Sequence, residues 1–128
     1  MKRIIFISRS KLSQNLMEII IKSINKKIDY KPLSSLKELS KAHYSRPVQI
    51  VIVDNNAVRG EKTSDTELFG AFESRYFVKS KKIFLHTRKD AIDRDLLERH
   101  GFGVFLVKPF LTEELIDIIT TGCSESVS

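Results

Sequence analysis

Five short apolar runs, separated by stretches of helical periodicity, decide what this chain can fold into. They are RIIFI (3–7), KIDYK (27–31), VQIVIV (48–53), KIFLH (82–86) and GVFLV (103–107). β-Branched and aromatic residues crowd most of them, which suits strands of a parallel sheet buried on both faces. Between the runs, apolar residues recur at three- and four-residue steps, the spacing of a helix with one buried side. Parallel strands need a crossover, and helices supply it, so regular alternation of this kind specifies an α/β layered fold. The expected architecture is a doubly wound, five-stranded parallel sheet with helices on both faces, formed by residues 1–121 and followed by a polar tail, 122–128.

Local signals place the elements. Ser10 caps a first helix that carries Leu12, Leu16, Ile19, Ile20 and Ile24 toward the core. KIDYK is more polar than the other runs and belongs near a sheet edge, closed by Pro32. Ser35 and Glu38 have capping-box spacing for a second helix that buries Leu36 and Leu39. VQIVIV is the most apolar run and takes the centre of the sheet. Residues 55–64 read as a loop, and a third helix then presents Leu68, Phe69 and Phe72. A fourth helix spans 90–100, opened by Asp90 and closed by Gly101. The last spans 112–120, with Thr112 as its cap and Glu113 and Glu114 in the dipole-favoured first turn.

Composition excludes several classes of function. No apolar run approaches the roughly 20 residues that cross a bilayer, and MKRIIFIS is too short for a signal peptide, so a cytoplasmic location is expected. Cys123 is the single cysteine, which rules out an internal disulfide and a cysteine metal cage. The formal charge of +6 is uneven, +8 over residues 1–64 and −2 over residues 65–128. A basic half invites an acidic partner. Yet Lys22, Lys26, Lys27, Lys37 and Lys41 fall on the solvated sides of two helices, and no aromatic residues interleave them as stacking platforms. A nucleic acid is therefore the lesser expectation, to be recognised by binding that falls steeply with salt.

In an open parallel sheet, ligands bind outside the carboxyl ends of the strands. That rule gathers Ser8, Arg9, Ser10, Asp54, Asn55, Asn56, Thr87, Arg88, Lys108 and Pro109 at one rim. Asp54 ends the most apolar run and Lys108 the last.

At these residues the chain resembles the receiver domain of two-component response regulators, a flavodoxin-like (βα)5 fold. QIVIVD is similar to the strand that ends in the phospho-accepting aspartate, which puts Asp54 in that role. FLVKPF (105–110) is similar to the end of the fifth strand, which implies an oriented lysine at Lys108, a cis proline at Pro109 and a switch aromatic at Phe105. Thr87 is similar to the Thr/Ser at the end of strand four, with His86 a competing candidate because Thr87 is one residue closer to Lys108 than the commonest spacing. The departures are equally specific. The resemblance implies an acidic pair holding Mg2+ after strand one, and here Ser8 and Arg9 stand there; the usual Met-Pro after the aspartate is replaced by NNAV, which begins at Asn55.

Phosphoryl transfer to a carboxylate joins two anions and depends on a bridging cation. Mg2+ demands an octahedron of oxygens and is retained by carboxylates. With Asp54 alone, and with Arg9 adding a fixed positive charge, no Mg2+ and no other cofactor is expected. Opposite charges about 4 Å apart attract by roughly 4 kcal/mol at an effective dielectric near 20, so Arg9 is expected to pair with Asp54, or to share an anion with Lys108. The function implied is a pseudo-receiver that signals by protein contact, with Mg2+-dependent phosphorylation lost or impaired; the alternatives are a conventional phospho-acceptor using Asp54 and a basic nucleic-acid-binding module. Conventional catalysis is not expected: no glycine-rich phosphate loop follows strand one, and no nucleophile–base constellation is legible. The resemblance implies a partner or homodimer surface at residues 90–120, with Ile92, Phe102 and Phe105 as its apolar residues.

Overall fold

A computed structural model describes residues 2–41, 46–58 and 69–124. The elements run β1 (Arg3–Ile7), α1 (Lys11–Ile24), β2 (Asp29–Leu33), α2 (Lys37–Lys41), β3 (Ile50–Asp54), β4 (Lys81–Thr87), α3 (Arg94–Arg99), β5 (Phe102–Lys108) and α4 (Thr112–Ser124), with 3-10 turns at Asn55–Ala57 and Gly70–Glu73. All strands are parallel, in the order β2-β1-β3-β4-β5. This is the doubly wound arrangement that the alternation specifies, and β3, buried at all five positions, is its centre.

Strand alternation divides the core into two layers. Ile4, Phe6, Ile50, Ile52, Ile83, Leu85 and Leu106 pack under α1 and α4, against Met17, Ile21, Leu115 and Ile119. Ile5, Ile7, Val51, Val53 and Phe84 face the other way, onto Leu36, Leu39, Leu97 and an aromatic cluster. In that cluster Phe102 meets Phe69, Phe72 and Phe84 edge-on, with ring centroids 5.5–5.9 Å apart. The edge-to-face arrangement contributes roughly 0.5–1.5 kcal/mol per pair beyond the area buried.

Several boundaries differ from the sequence expectation, each for a local reason. Pro32 does not close β2 but lies inside it, tolerated because β2 is an edge strand with one side free of ladder bonds. The helix expected over 90–100 begins at Arg94, because Asp93 caps it by accepting from Leu96 N–H, while the Asp90 carboxylate accepts from Thr87 N–H and holds the preceding loop. Gly101 ends it as expected, at φ +99°. In α2 the Glu38 carboxylate reaches back to Ser34 N–H at 2.7 Å, one residue before the expected cap. Thr112 is the first helical residue of α4 instead of its cap, Glu114 accepting from Leu111 N–H at 3.1 Å. The helix continues to Ser124, past the expected domain end at 121, so Cys123 lies in its last turn. Of the third helix, Leu68 falls outside the described residues; Phe69 and Phe72 are buried beside and in the 3-10 turn.

The largest correction concerns α1. Ser10 caps it as expected, accepting from Ser13 N–H. However, the residues it buries are Gln14, Met17 and Ile21, whereas Leu12, Leu16 and Ile19 are 69%, 52% and 67% exposed. The helix is apolar over more than half its circumference, so periodicity alone could not choose which apolar stripe meets the sheet. A polar contact did: Gln14 Nε2 donates to the Ser8 carbonyl at 2.7 Å and the Leu33 carbonyl at 3.3 Å, and the Gln14 carbonyl accepts from Tyr30 Oη at 2.7 Å.

Burial first, and Glu18 second, push the Tyr30 phenol well above its ordinary value. Between the ordinary tyrosine range near pH 10 and the higher folded value, the unfolded chain loses a proton that the folded one keeps, so stability falls as pH rises through that window. Chemical denaturation at stepped alkaline pH should show this slope, and Tyr30→Phe should flatten it.

Candidate functional site

The site forms where β1, β3, β4 and β5 end at the same rim. Ile50 and Ile52 of β3 face the α1/α4 layer, so alternation directs Asp54 there; Val104 and Leu106 do the same for Lys108. Lys108 is level with Thr87, and Asp54 with Leu85. By the same alternation Thr87 shares the face of Asp54 and Lys108. His86 belongs to the opposite face, where its ring lies 6.3 Å from that of Phe84.

Asp54 is 2% exposed, and its carboxylate accepts from two partners. Lys108 Nζ donates to both oxygens, at 3.0 Å to Oδ1 and 2.9 Å to Oδ2, and Asn56 N–H donates to Oδ1 at 3.1 Å. Burying a carboxylate without a countercharge is costly, and a bidentate ammonium meets that cost. The expected Arg9–Asp54 pair does not form: the countercharge of Asp54 is Lys108.

Asn56 explains why. Its side chain crosses from β3 to the end of β1, where Nδ2 donates to Ser8 Oγ at 3.1 Å and Oδ1 accepts from Arg9 N–H at 3.0 Å. Ser8 is fully buried, and its Oγ also accepts from Ser10 N–H at 3.2 Å. The amide thus ties the β1 end to the β3 end, and Arg9, an exposed residue, contributes its backbone to this link. Among the described residues, no group of three or more His, Cys, Asp or Glu side chains gathers at one place.

Beyond the site, the Lys108–Pro109 bond is cis. Phe105 is half-buried, 6.3 Å from Phe84, and the Arg94 guanidinium lies 4.3 Å above its ring. Thr87, Phe105, Lys108, Pro109 and Glu114 line one open groove, which joins the site to the β5–α4 surface. Ile92 is half-buried and lines a separate cleft with Asn55, Val58 and Phe84, and Phe102 is 2% exposed and belongs to the core, so it offers nothing to a partner. Sequence reasoning missed Gln14, whose amide fixes the Ser8 backbone. An amide among apolar helix positions three to four residues after a cap was the signal available.

No protein-family model matches the chain, and no curated protein matches its sequence significantly. Solved structures do match in fold. The chemotaxis response regulator CheY4 of Vibrio cholerae superposes with a TM-score of 0.73 at 18% identity, covering 95% of this chain and 98% of that one. A CheY-like response regulator receiver domain protein from Methanospirillum hungatei JF-1 gives 0.76 at 17% identity, covering 98% and 95%. A response regulator receiver modulated diguanylate cyclase from Pelobacter carbinolicus gives 0.66 at 16%, covering 98% and 94%. The chain therefore has the flavodoxin-like fold of CheY-like receiver domains. No helix among the described residues is long and apolar enough to cross a membrane.

Proposed function

We propose that this chain is a receiver-like module of two-component or phosphorelay signalling that acts in the cytoplasm by protein contact, without catalysis of its own and with Mg2+-dependent phosphorylation at Asp54 lost or impaired. One observation carries the reading: the Asn56 amide bridges Ser8 Oγ and Arg9 N–H at the place where a metal-holding acidic pair is missing. The donor set does not fit Mg2+. That ion needs about six oxygens in an octahedron, whereas among the described residues the carboxylate that ends β3 already accepts from an ammonium at both oxygens. The other nearby side-chain oxygens, Ser8 Oγ and Asn56 Oδ1, already accept from N–H groups.

Support for the signalling class comes from the fold shared with response regulators and from the groove that connects the Asp54 rim to the surface at residues 90–120, where a protein partner docks in this reading. Incubation with Mg2+ and a small acyl phosphate, followed by intact-mass measurement, tests it. The expected result is no phosphoryl adduct. An adduct that disappears in Asp54→Asn would return the chain to the conventional phospho-accepting class, which the Lys108–Asp54 contact and the position of Thr87 favour.

A further inference from the structure

Three of the largest exposed apolar side chains, Leu12, Leu16 and Ile19, follow one another at i, i+4 and i+7 along α1. They form a stripe about 10 Å long on the outer side of the helix. Its two flanks carry opposite charge. On the β2 side are Lys11, Lys22, Lys26 and Lys27, with Glu18 among them, and Lys22 is held there by donating to the Ile28 carbonyl. On the other side Ile20 and Ile24 turn into the layer shared with α4, whose outer surface exposes Glu113 and Asp117.

We propose that this face is a self-association surface, on which a second copy of the chain packs α1 against α1, in parallel, about a two-fold axis running along the helices. Such an axis exchanges left and right, so the lysine flank of each copy lies over the acidic flank of the other. A two-fold axis across the helices would instead set lysines over lysines. Anionic lipid or nucleic acid would meet Glu113 and Asp117 beside the stripe, so the charge pattern selects a copy of the same face. Lys11 and Glu113 stand in the first turns of helices that start at the same sheet edge, so the parallel two-fold brings them level across the interface. The patch is small, and a Kd on the order of 10–100 µM is expected. This inference does not rest on the receiver reading.

Sedimentation velocity of the full chain, over two decades of concentration around that Kd and without Mg2+ or a phosphodonor, tests it. The mass should rise from monomer to dimer. Leu16→Ser should weaken the dimer at least tenfold, while circular dichroism reports an unchanged fold. Lys11→Glu and Glu113→Lys should each weaken it severalfold, and the two combined in one chain should restore it. A monomer at every concentration would overturn the proposal. So would failure of the combined variant to recover, or Leu16-dependent binding to anionic vesicles in place of self-association.

Discussion

Lys108→Met is expected to destabilise the folded protein by about 2–3 kcal/mol, and Asp54→Asn in the same chain to recover most of that loss. The single change leaves a carboxylate that is 2% exposed without its countercharge, and breaking a buried pair costs about 3–5 kcal/mol in general. The lower figure applies because the Lys108 side chain is 32% exposed and solvent screens its end of the pair. Asparagine keeps an oxygen for Asn56 N–H and removes the charge, so the buried position no longer requires an ammonium. Urea denaturation of the four proteins in this cycle gives the coupling directly. Near-additive effects would mean that the contact is incidental to stability.

The second large effect is a gain. Ser8→Asp combined with Arg9→Asp and Asn56→Ala should create a Mg2+ site, one that the proposed function does not expect in the native chain. The first two changes add carboxylates beside Asp54, and the third removes the amide that links the β1 and β3 ends. Without metal this variant should be less stable than the native protein, because position 8 is fully buried and a new carboxylate there gains no countercharge of its own. With Mg2+ at a hundred times its Kd, linkage contributes about 2.7 kcal/mol, a rise in Tm on the order of 10 °C for a domain of this size. Arg9→Asp alone should show no such rise, because Asn56 and Lys108 still occupy the oxygens. A metal response in that single variant would mean that charge alone, not the amide bridge, excludes the ion.

How much of this was legible in the sequence depends on which forces act locally. Strand existence followed from apolar alternation, the central place of β3 from its uninterrupted apolar run and the edge place of β2 from its polarity, whereas the full strand order came only from the structure. Asp54 and Lys108 were found because each ends a strand, and the sheet brings such ends to one rim. Their mutual pairing was not found. Arg9 is close to the site in the same sense, but which cation meets a carboxylate is decided by side-chain reach across three strands, and spacing carries no such information. The role of Asn56 was legible as a rim position only, because an amide that donates to one chain segment and accepts from its neighbour is visible only in three dimensions. On α1 the apolar pattern was right for Ile20 and Ile24, which pack against the core, and wrong for Leu12, Leu16 and Ile19, since Gln14 turns inward to satisfy two carbonyls and takes Met17 and Ile21 with it. At Phe102 the error was one of burial: an aromatic at the start of an edge strand reads as surface until three other rings are seen around it.

The most direct measurement is a Mg2+ titration of the native chain followed by amide chemical shifts at Asp54, Asn56 and Lys108. The account predicts no saturable change at millimolar concentrations, because a lysine and an asparagine already hold the oxygens that the ion would need. Saturable shifts confined to those residues, abolished by Asp54→Asn, would contradict it.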